Sequence, residues 1–368
     1  KHLYQYLDWY RKRPKRFSSQ LTLLKLLEWL PPVKSVEFDR VVAASGVETS
    51  GFFIVCPVLP DLVASMDGEA AFREHLLMRI YESCRMAAEQ GARIATLGAY
   101  TSIAVIGQEE ELGRRTGIPV TSGNSLTAWM TVRGIEKAAA AVGLDLSGAR
   151  VAVVGASGDI GRCVCMWLSK RVAGLTLTAR RLAPLAEFGQ VLRQSGSAVI
   201  EVTDDNPAAV GSADLVVTVA LSSVPVISGD DVRPGTVVCD VGYPKNVGQE
   251  LEERRDVLAF SGGYAHLPFE LDFGYEMKLP RADVLYGCFT EAIVLSLERR
   301  YEYFSKGRGE ISLEKMEEIG QAAQKHGIDV APLYCGKRLL TTDDFEQVAQ
   351  ARRTRKRNGS GGAGRLSN

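Results

Sequence analysis

The chain has 368 residues, with 44 Lys and Arg balanced by 44 Asp and Glu, so it carries no formal net charge at pH 7. Neutrality argues against bulk nucleic-acid binding. A hydrophobic content of 46% is that of a globular protein with a real core, and at roughly 150 residues per domain the length predicts two or three domains.

In chain order, residues 1–30 read as a helix with an apolar face of Leu21, Leu23, Leu24, Leu26, Leu27 and Leu30, stopped by Pro31-Pro32. The basic run Arg11–Arg16 within it reads either as solvated surface or as a patch for an acidic partner. Strand-like runs follow at Val36–Ala44 and Phe52–Val58. The longest apolar stretch, Gly51 to Met66, is broken by Pro57, Pro60 and Asp61 and cannot span a membrane. A helix is predicted from Glu69 to Gln90. Ile94 to Ser102 reads as a short strand ending in a turn of glycine and hydroxyls. Val120 to Thr127 repeats that pattern, and a helix follows from Ala128 to Val142. Such strand ends suit ordinary turn chemistry and equally suit ligand sites.

From Gly148 strands and helices alternate. Strands are expected at Arg150–Val154, Thr176–Thr178, Ala198–Val202, Leu215–Ala220 and Val237–Asp240, with a sixth at Val257–Phe260. Alternation of this kind predicts an α/β fold with a doubly wound parallel sheet. Past Asp283 the chain turns helical. Phe289, Ala292, Ile293, Leu297, Tyr301 and Phe304 share one helical face, and a second helix runs from Leu313 to His326 with Ser312 as its cap. A second basic run, Arg352–Arg357, precedes Asn358–Gly364, which has the composition of a disordered tail.

The most informative segment is Gly155-Ala-Ser157-Gly158-Asp159-Ile160-Gly161, set between a buried strand and a helix. The glycines let the backbone turn sharply and let a pyrophosphate approach, and the helix N-terminus offers that phosphate unpaired N–H groups. About 20 residues on, an NAD enzyme carries an acid for the ribose 2′-hydroxyl. Here Arg180 and Arg181 stand instead, as a 2′-phosphate requires, so NADPH is the expected cofactor; the competing reading is a solvated loop pair. In doubly wound sheets the strand C-termini border the cofactor crevice, which brings in Ala220, Gly242 and Gly262.

Cys288, near the start of the late helix, reads as a nucleophile or as a small buried hydrophobe. Cys163 and Cys165 read as packing residues. Lys245 follows a strand end and reads as a phosphate or carbonyl partner, or as a surface lysine after a proline turn. His266 reads as a general acid or a structural histidine. The seven cysteines, at 56, 84, 163, 165, 239, 288 and 335, form no zinc spacing and no CxxC pair. No metal is expected, and a reducing, cytoplasmic setting is.

Seven segments in register, between roughly Leu27 and Leu333, resemble the long-chain acyl-[acyl-carrier-protein] reductases. They are Leu97–Ser102, Thr121–Asn124, Val153–Gly161, Gly242–Asn246, Gly287–Ala292, Phe304–Arg308 and Met316–Gly320. The resemblance implies a Rossmann-type doubly wound sheet, an N-terminal α/β substrate domain and C-terminal helices. It also implies NADPH-dependent reduction of an acyl thioester to a fatty aldehyde, with the covalent cysteine at Cys288. Ser102 and Asn124, with Thr101, become oxyanion donors and Lys245 a catalytic candidate. The donor would be acyl carrier protein or acyl-CoA, and Lys137, Arg299 and Arg300 are candidate contacts for an acidic carrier. An aldehyde-consuming partner and a peripheral membrane contact are compatible with this reading; a transmembrane segment and nucleic acid are not expected. The chain departs from the family at Ser157 and Ser122, where threonine is usual, and the hydroxyl is kept in both. The alternative is a shikimate-type or amino-acid dehydrogenase that transfers hydride directly. Domains are expected at 1–145 (substrate), 146–268 (NADP), 269–345 (helical, with Cys288) and 346–368 (basic disordered tail).

Overall fold

The computed structural model describes residues 30–57, 70–98, 100–222, 224–307 and 311–361. The helix expected over 1–30, with its basic run, lies outside the described residues apart from Leu30.

The first part of the chain builds one wall of a cleft. Strands β1 (Val33–Val42) and β2 (Glu48–Val55) pair antiparallel. The hairpin turn is held by Ser45, whose hydroxyl meets His326 Nδ1 at 2.7 Å. Helix α1 (Ala70–Glu89), strand β3 (Ala95–Thr96), helices α2 (Tyr100–Ala104) and α3 (Glu109–Thr116), and strand β4 (Val120–Thr121) follow. β3 and β4 pair in parallel. Helix α4 (Asn124–Ala141) begins four residues ahead of the expected Ala128, because Gly123, at φ +70, turns β4 straight into it. Leu126, Met130 and Ile135 are fully buried, since α4 runs between the two halves of the molecule and packs on both.

The second part is the alternating region. Its strands are β5 (Arg150–Val154), β6 (Gly174–Thr178), β7 (Val199–Thr203), β8 (Leu215–Thr218), β9 (Val237–Asp240) and β10 (Leu258–Ser261). They hydrogen-bond in the order β10-β9-β8-β5-β6-β7, and every pair is parallel. The order reverses between β5 and β8, which opens a crevice at their C-terminal ends; this is the doubly wound dinucleotide topology. β8, β9 and β10 are buried at every residue, as helices on both faces require of a parallel sheet. The helices are α5 (Asp159–Leu168), α6 (Leu182–Ser195), α7 (Asn206–Ser212) and α8 (Glu250–Glu253). Asp205 caps α7 by accepting the Ala208 N–H at 2.9 Å.

The last part returns to the cleft. β11 (Tyr264–His266) pairs with β12 (Val284–Tyr286), which leads directly into α9 (Gly287–Leu297). α9 is shorter than the apolar spacing predicts. Arg299 adopts φ 56 and Arg300 N–H donates to Leu295 O at 2.8 Å, a left-handed close that ends the helix. Tyr301 and Phe304 therefore lie beyond it, and Phe304 reaches the core from a loop. Helix α10 (Leu313–Lys325) is capped as expected by Ser312, which accepts the Lys315 N–H at 3.2 Å. Short strands β13 (Asp329–Val330), β14 (Tyr334–Cys335) and β15 (Arg338–Leu339) precede α11 (Thr342–Gly361).

α11 corrects the expectation of a disordered basic tail. Arg352 is buried and donates to Gly235 O at 2.9 Å, and Arg355 pairs with Asp214. The basic run thus docks on the sheet domain through residues three apart, a helical pattern that its charge density hides. Residues 362–368 lie outside the described residues.

Candidate active site

A cleft of about 1940 Å3 runs from the C-terminal ends of the parallel strands to the wall formed by β2, α1 and α2. At one end lies the glycine turn. Gly155 has φ +90, and a Cβ there would sit 2.7 Å from Ala220 N, so only glycine fits. A Cβ on Gly158 would meet nothing nearer than 3.6 Å, which leaves its backbone open to a ligand. A Cβ on Gly161 would strike Gly155 O at 2.5 Å. The three glycines thus serve the turn, the approach and the helix–strand contact of a dinucleotide site. Gly155, Ser157, Gly158, Asp159 and Ile160 line the cleft, as do Arg180, Arg181, Ala220, Gly242 and Gly262, whereas Gly161 packs behind it. The turn, the open approach and the cationic far end together fit a dinucleotide.

The strand ends are held by a bracket built from Asp240 and Asn246. Asp240 Oδ1 accepts the Thr218 hydroxyl at 2.8 Å and the Gly242 N–H at 2.9 Å. Asp240 Oδ2 accepts the Asn246 N–H at 3.1 Å, and Asn246 Oδ1 accepts the Ala220 N–H at 2.8 Å. This explains the Gly242–Asn246 segment, and it places Lys245 differently from the catalytic expectation. Lys245 does not line the cleft. Its ammonium donates to Ser261 Oγ at 2.9 Å and lies 5.8 Å from the Tyr264 ring centroid, so it braces the bracket.

At the other end, Cys288 is the second residue of α9, in its first turn, half-buried and lining the cleft. Its carbonyl accepts the Thr96 hydroxyl at 2.6 Å. Gly287 N–H donates to Gly263 O at 2.8 Å, which joins the helix start to the turn between β10 and β11. A Cβ on Gly123 would lie 2.3 Å from Cys288 Cα, so the start of α4 rests on the cysteine backbone. Asn124 is the next residue and lines the cleft, as does the buried Ser102 on α2. The structure therefore brings Cys288, Asn124, Ser102 and the glycine turn to one cleft. Beyond Cys288 the lining turns aromatic: Phe289 packs edge-on against Phe53 at 5.0 Å between centroids, with the buried Phe273 behind Phe53 at 4.8 Å.

Burial pushes Cys56 and Cys335 up to about 11, and Cys84 and Cys163 up to about 12. Cys165 and Cys239 are raised by the same cause. His266 sits away from the cleft, 3.5 Å from Asp283.

One functional candidate escaped the sequence reading. Glu291, one turn after Cys288, is wholly buried. Its Oε2 accepts the Leu126 N–H and the Ser305 hydroxyl, each at 3.0 Å, and its Oε1 accepts the Thr121 hydroxyl. Ser305 N–H donates in turn to Thr121 Oγ1 at 3.0 Å. Burial raises the Glu291 carboxyl above its ordinary value, against these donations. The network ties the segments around Thr121, Cys288 and Phe304 into one unit. The signal was a glutamate inside an apolar helix.

No family model matches the chain. It is 34% identical over 313 residues to the long-chain acyl-[acyl-carrier-protein] reductase of Synechococcus elongatus, an alignment covering 80% of this chain and 87% of that protein. It is 29% identical over 310 residues to the aminotransferase PigE of a Serratia strain, covering 82% of this chain but 35% of that longer protein. Among solved structures, the L-tryptophan dehydrogenase of Nostoc punctiforme is 12% identical, with a TM-score of 0.38 over 84% of this chain and 77% of that one. With the dinucleotide sheet and the shared cleft in place, the identity to the Synechococcus enzyme decides the matter: the chain belongs to the long-chain acyl-[acyl-carrier-protein] reductase family of oxidoreductases.

Proposed function

We propose that this protein reduces a long-chain acyl thioester, held on acyl carrier protein or coenzyme A, to the fatty aldehyde with NADPH, through an acyl-enzyme on Cys288. The observation that carries this reading is the position of Cys288. It stands in the first turn of α9, on the same cleft as the glycine turn and beside an apolar aromatic arm. A first-turn thiol faces unpaired N–H groups, which favour negative charge on sulfur.

The steps follow from that placement. Cys288 Sγ attacks the thioester carbonyl, the bond to the carrier sulfur breaks, and the carrier thiol leaves with the proton. A dinucleotide held by the Gly155–Gly161 turn and by Arg180 and Arg181 would supply the hydride that the acyl carbon needs. Asn124 and Ser102 face the oxyanion that forms at each addition, where donors fixed in advance count most. Collapse of the hemithioacetal breaks the C–S bond, frees the aldehyde and restores the thiolate. The aromatic arm around Phe53 and Phe289 holds the alkyl chain away from water.

Intact-protein mass after mixing with a long-chain acyl thioester, without dinucleotide, tests the reading. An acyl adduct is expected on Cys288, lost on adding NADPH as aldehyde appears. Cys288→Ser should form no reducible adduct and lose turnover by about three orders of magnitude, with dinucleotide binding intact. A folded, NADPH-binding protein that never carries the acyl group would instead point to direct hydride transfer.

A further inference from the structure

The adenosine end of the cleft holds a cation outside the Arg180–Arg181 pair. Arg162 lies one turn into α5, and its backbone N–H donates to Gly158 O at 2.8 Å, so its position is set by the glycine turn itself. Its guanidinium lies 4.0 Å from the centroid of the Phe188 ring. Phe188 belongs to α6, the helix that Arg181 precedes as N-cap residue, and is 2% exposed. The arginine is therefore laid across from α5 to α6 on a fixed aromatic platform.

Arg162, Arg180 and Arg181 all line the cleft, together with Pro184. Among the described residues none of the three guanidinium groups has a hydrogen bond or an ion pair. Elsewhere in the molecule Arg254, Arg281 and Arg338 each hold a carboxylate. Asp159 and Asp204 are the acids lining the same end, so three cations face two anions there. A stacked guanidinium keeps its N–H edge free for a planar, bidentate contact, and phosphate is the group that such an edge fits.

We propose that Arg162, seated on Phe188, is a specificity residue that grips the 2′-phosphate of the dinucleotide alongside Arg180 and Arg181. The inference rests on the NADPH reading above and goes beyond it by naming the platform and the third cation.

Equilibrium binding of 2′,5′-ADP and 5′-ADP to the full chain tests it without any catalytic readout. The unaltered protein should prefer 2′,5′-ADP. Arg162→Gln should weaken 2′,5′-ADP by about tenfold, the value of one charge-assisted contact, and leave 5′-ADP nearly unchanged. Arg162→Lys keeps the charge but loses the stacked fork and should fall between. An unaltered protein with no preference for 2′,5′-ADP would end the NADPH reading and this inference with it. A preference that survives Arg162→Gln would overturn the inference alone and make Arg162 a packing residue. Equal weakening of both nucleotides would assign Arg162 to the adenosine 5′-phosphate that they share and overturn it too.

Discussion

Cys288 differs from the other thiols in setting rather than in kind. The other six are pushed towards the protonated form by burial, and although Cys56 and Cys84 line the same cleft, Cys288 is the thiol there that stands in the first turn of a helix. Limited iodoacetamide treatment at neutral pH is expected to label Cys288 first, with acyl thioester protecting it; peptide mapping that finds another cysteine labelled first would contradict this. Glu291 makes a second prediction. Its folded-state pKa lies above the unfolded value of about 4.3, so the fold favours the protonated form. The stability it contributes is whole below the unfolded value and is lost as pH rises through the folded one. Glu291→Gln, which cannot ionise, should flatten the decline of unfolding free energy as pH rises above the unfolded value in urea melts. Parallel curves for the two proteins would refute the assignment. Glu291→Ala strands the Leu126 N–H and two hydroxyls, and should cost about 3 kcal/mol.

Among the elements, the contact between α4 and α9 holds the start of α4 against Cys288, the nucleophile of the proposed reaction. Gly123→Ala must fit a Cβ 2.3 Å from Cys288 Cα at a φ of +70, so the start of α9 has to move. Acyl-enzyme formation should slow by about a hundredfold, since small misplacements of reacting groups have that effect, while dinucleotide affinity holds. Unchanged acylation would show that the contact is dispensable. The docking of α11 supplies another test. Burial opposes charge on Asp344, but the Thr341 N–H, the Arg338 guanidinium and the Thr341 hydroxyl outweigh it and hold the carboxyl at about 2. A depressed pKa contributes stability above the unfolded value near 3.8, lost as pH falls towards 2, and worth about 2 kcal/mol when whole. Asp344→Asn should therefore loosen α11 at neutral pH, seen as faster amide exchange from Thr342 onwards, and the difference should vanish near pH 2.

At the scale of the molecule, the cleft is shared. The parallel sheet supplies the cofactor end, the N-terminal wall the apolar arm, and α9 crosses between them. Among the described residues no helix is long and apolar enough to cross a membrane. The alternation of β5 to β10 with their helices was legible from residue order, because each strand and each glycine turn is specified by neighbours within a few residues. The glycine turn from Gly155 to Gly161 and the cap at Ser312 were readable for the same reason. Cys288 was readable as a candidate but not as a first-turn residue, since the helix start at Gly287 is set by its contacts with Thr127 and Gly263. Tertiary structure alone decided that Lys245 turns to Ser261 rather than to the cleft, and that Glu291 gathers Thr121 and Ser305. It also decided that Arg162 lies on Phe188 and that α11 docks through Arg352. Each of these depends on burial and hydrogen bonds between elements apart in the chain, which no local pattern of apolar and polar residues encodes.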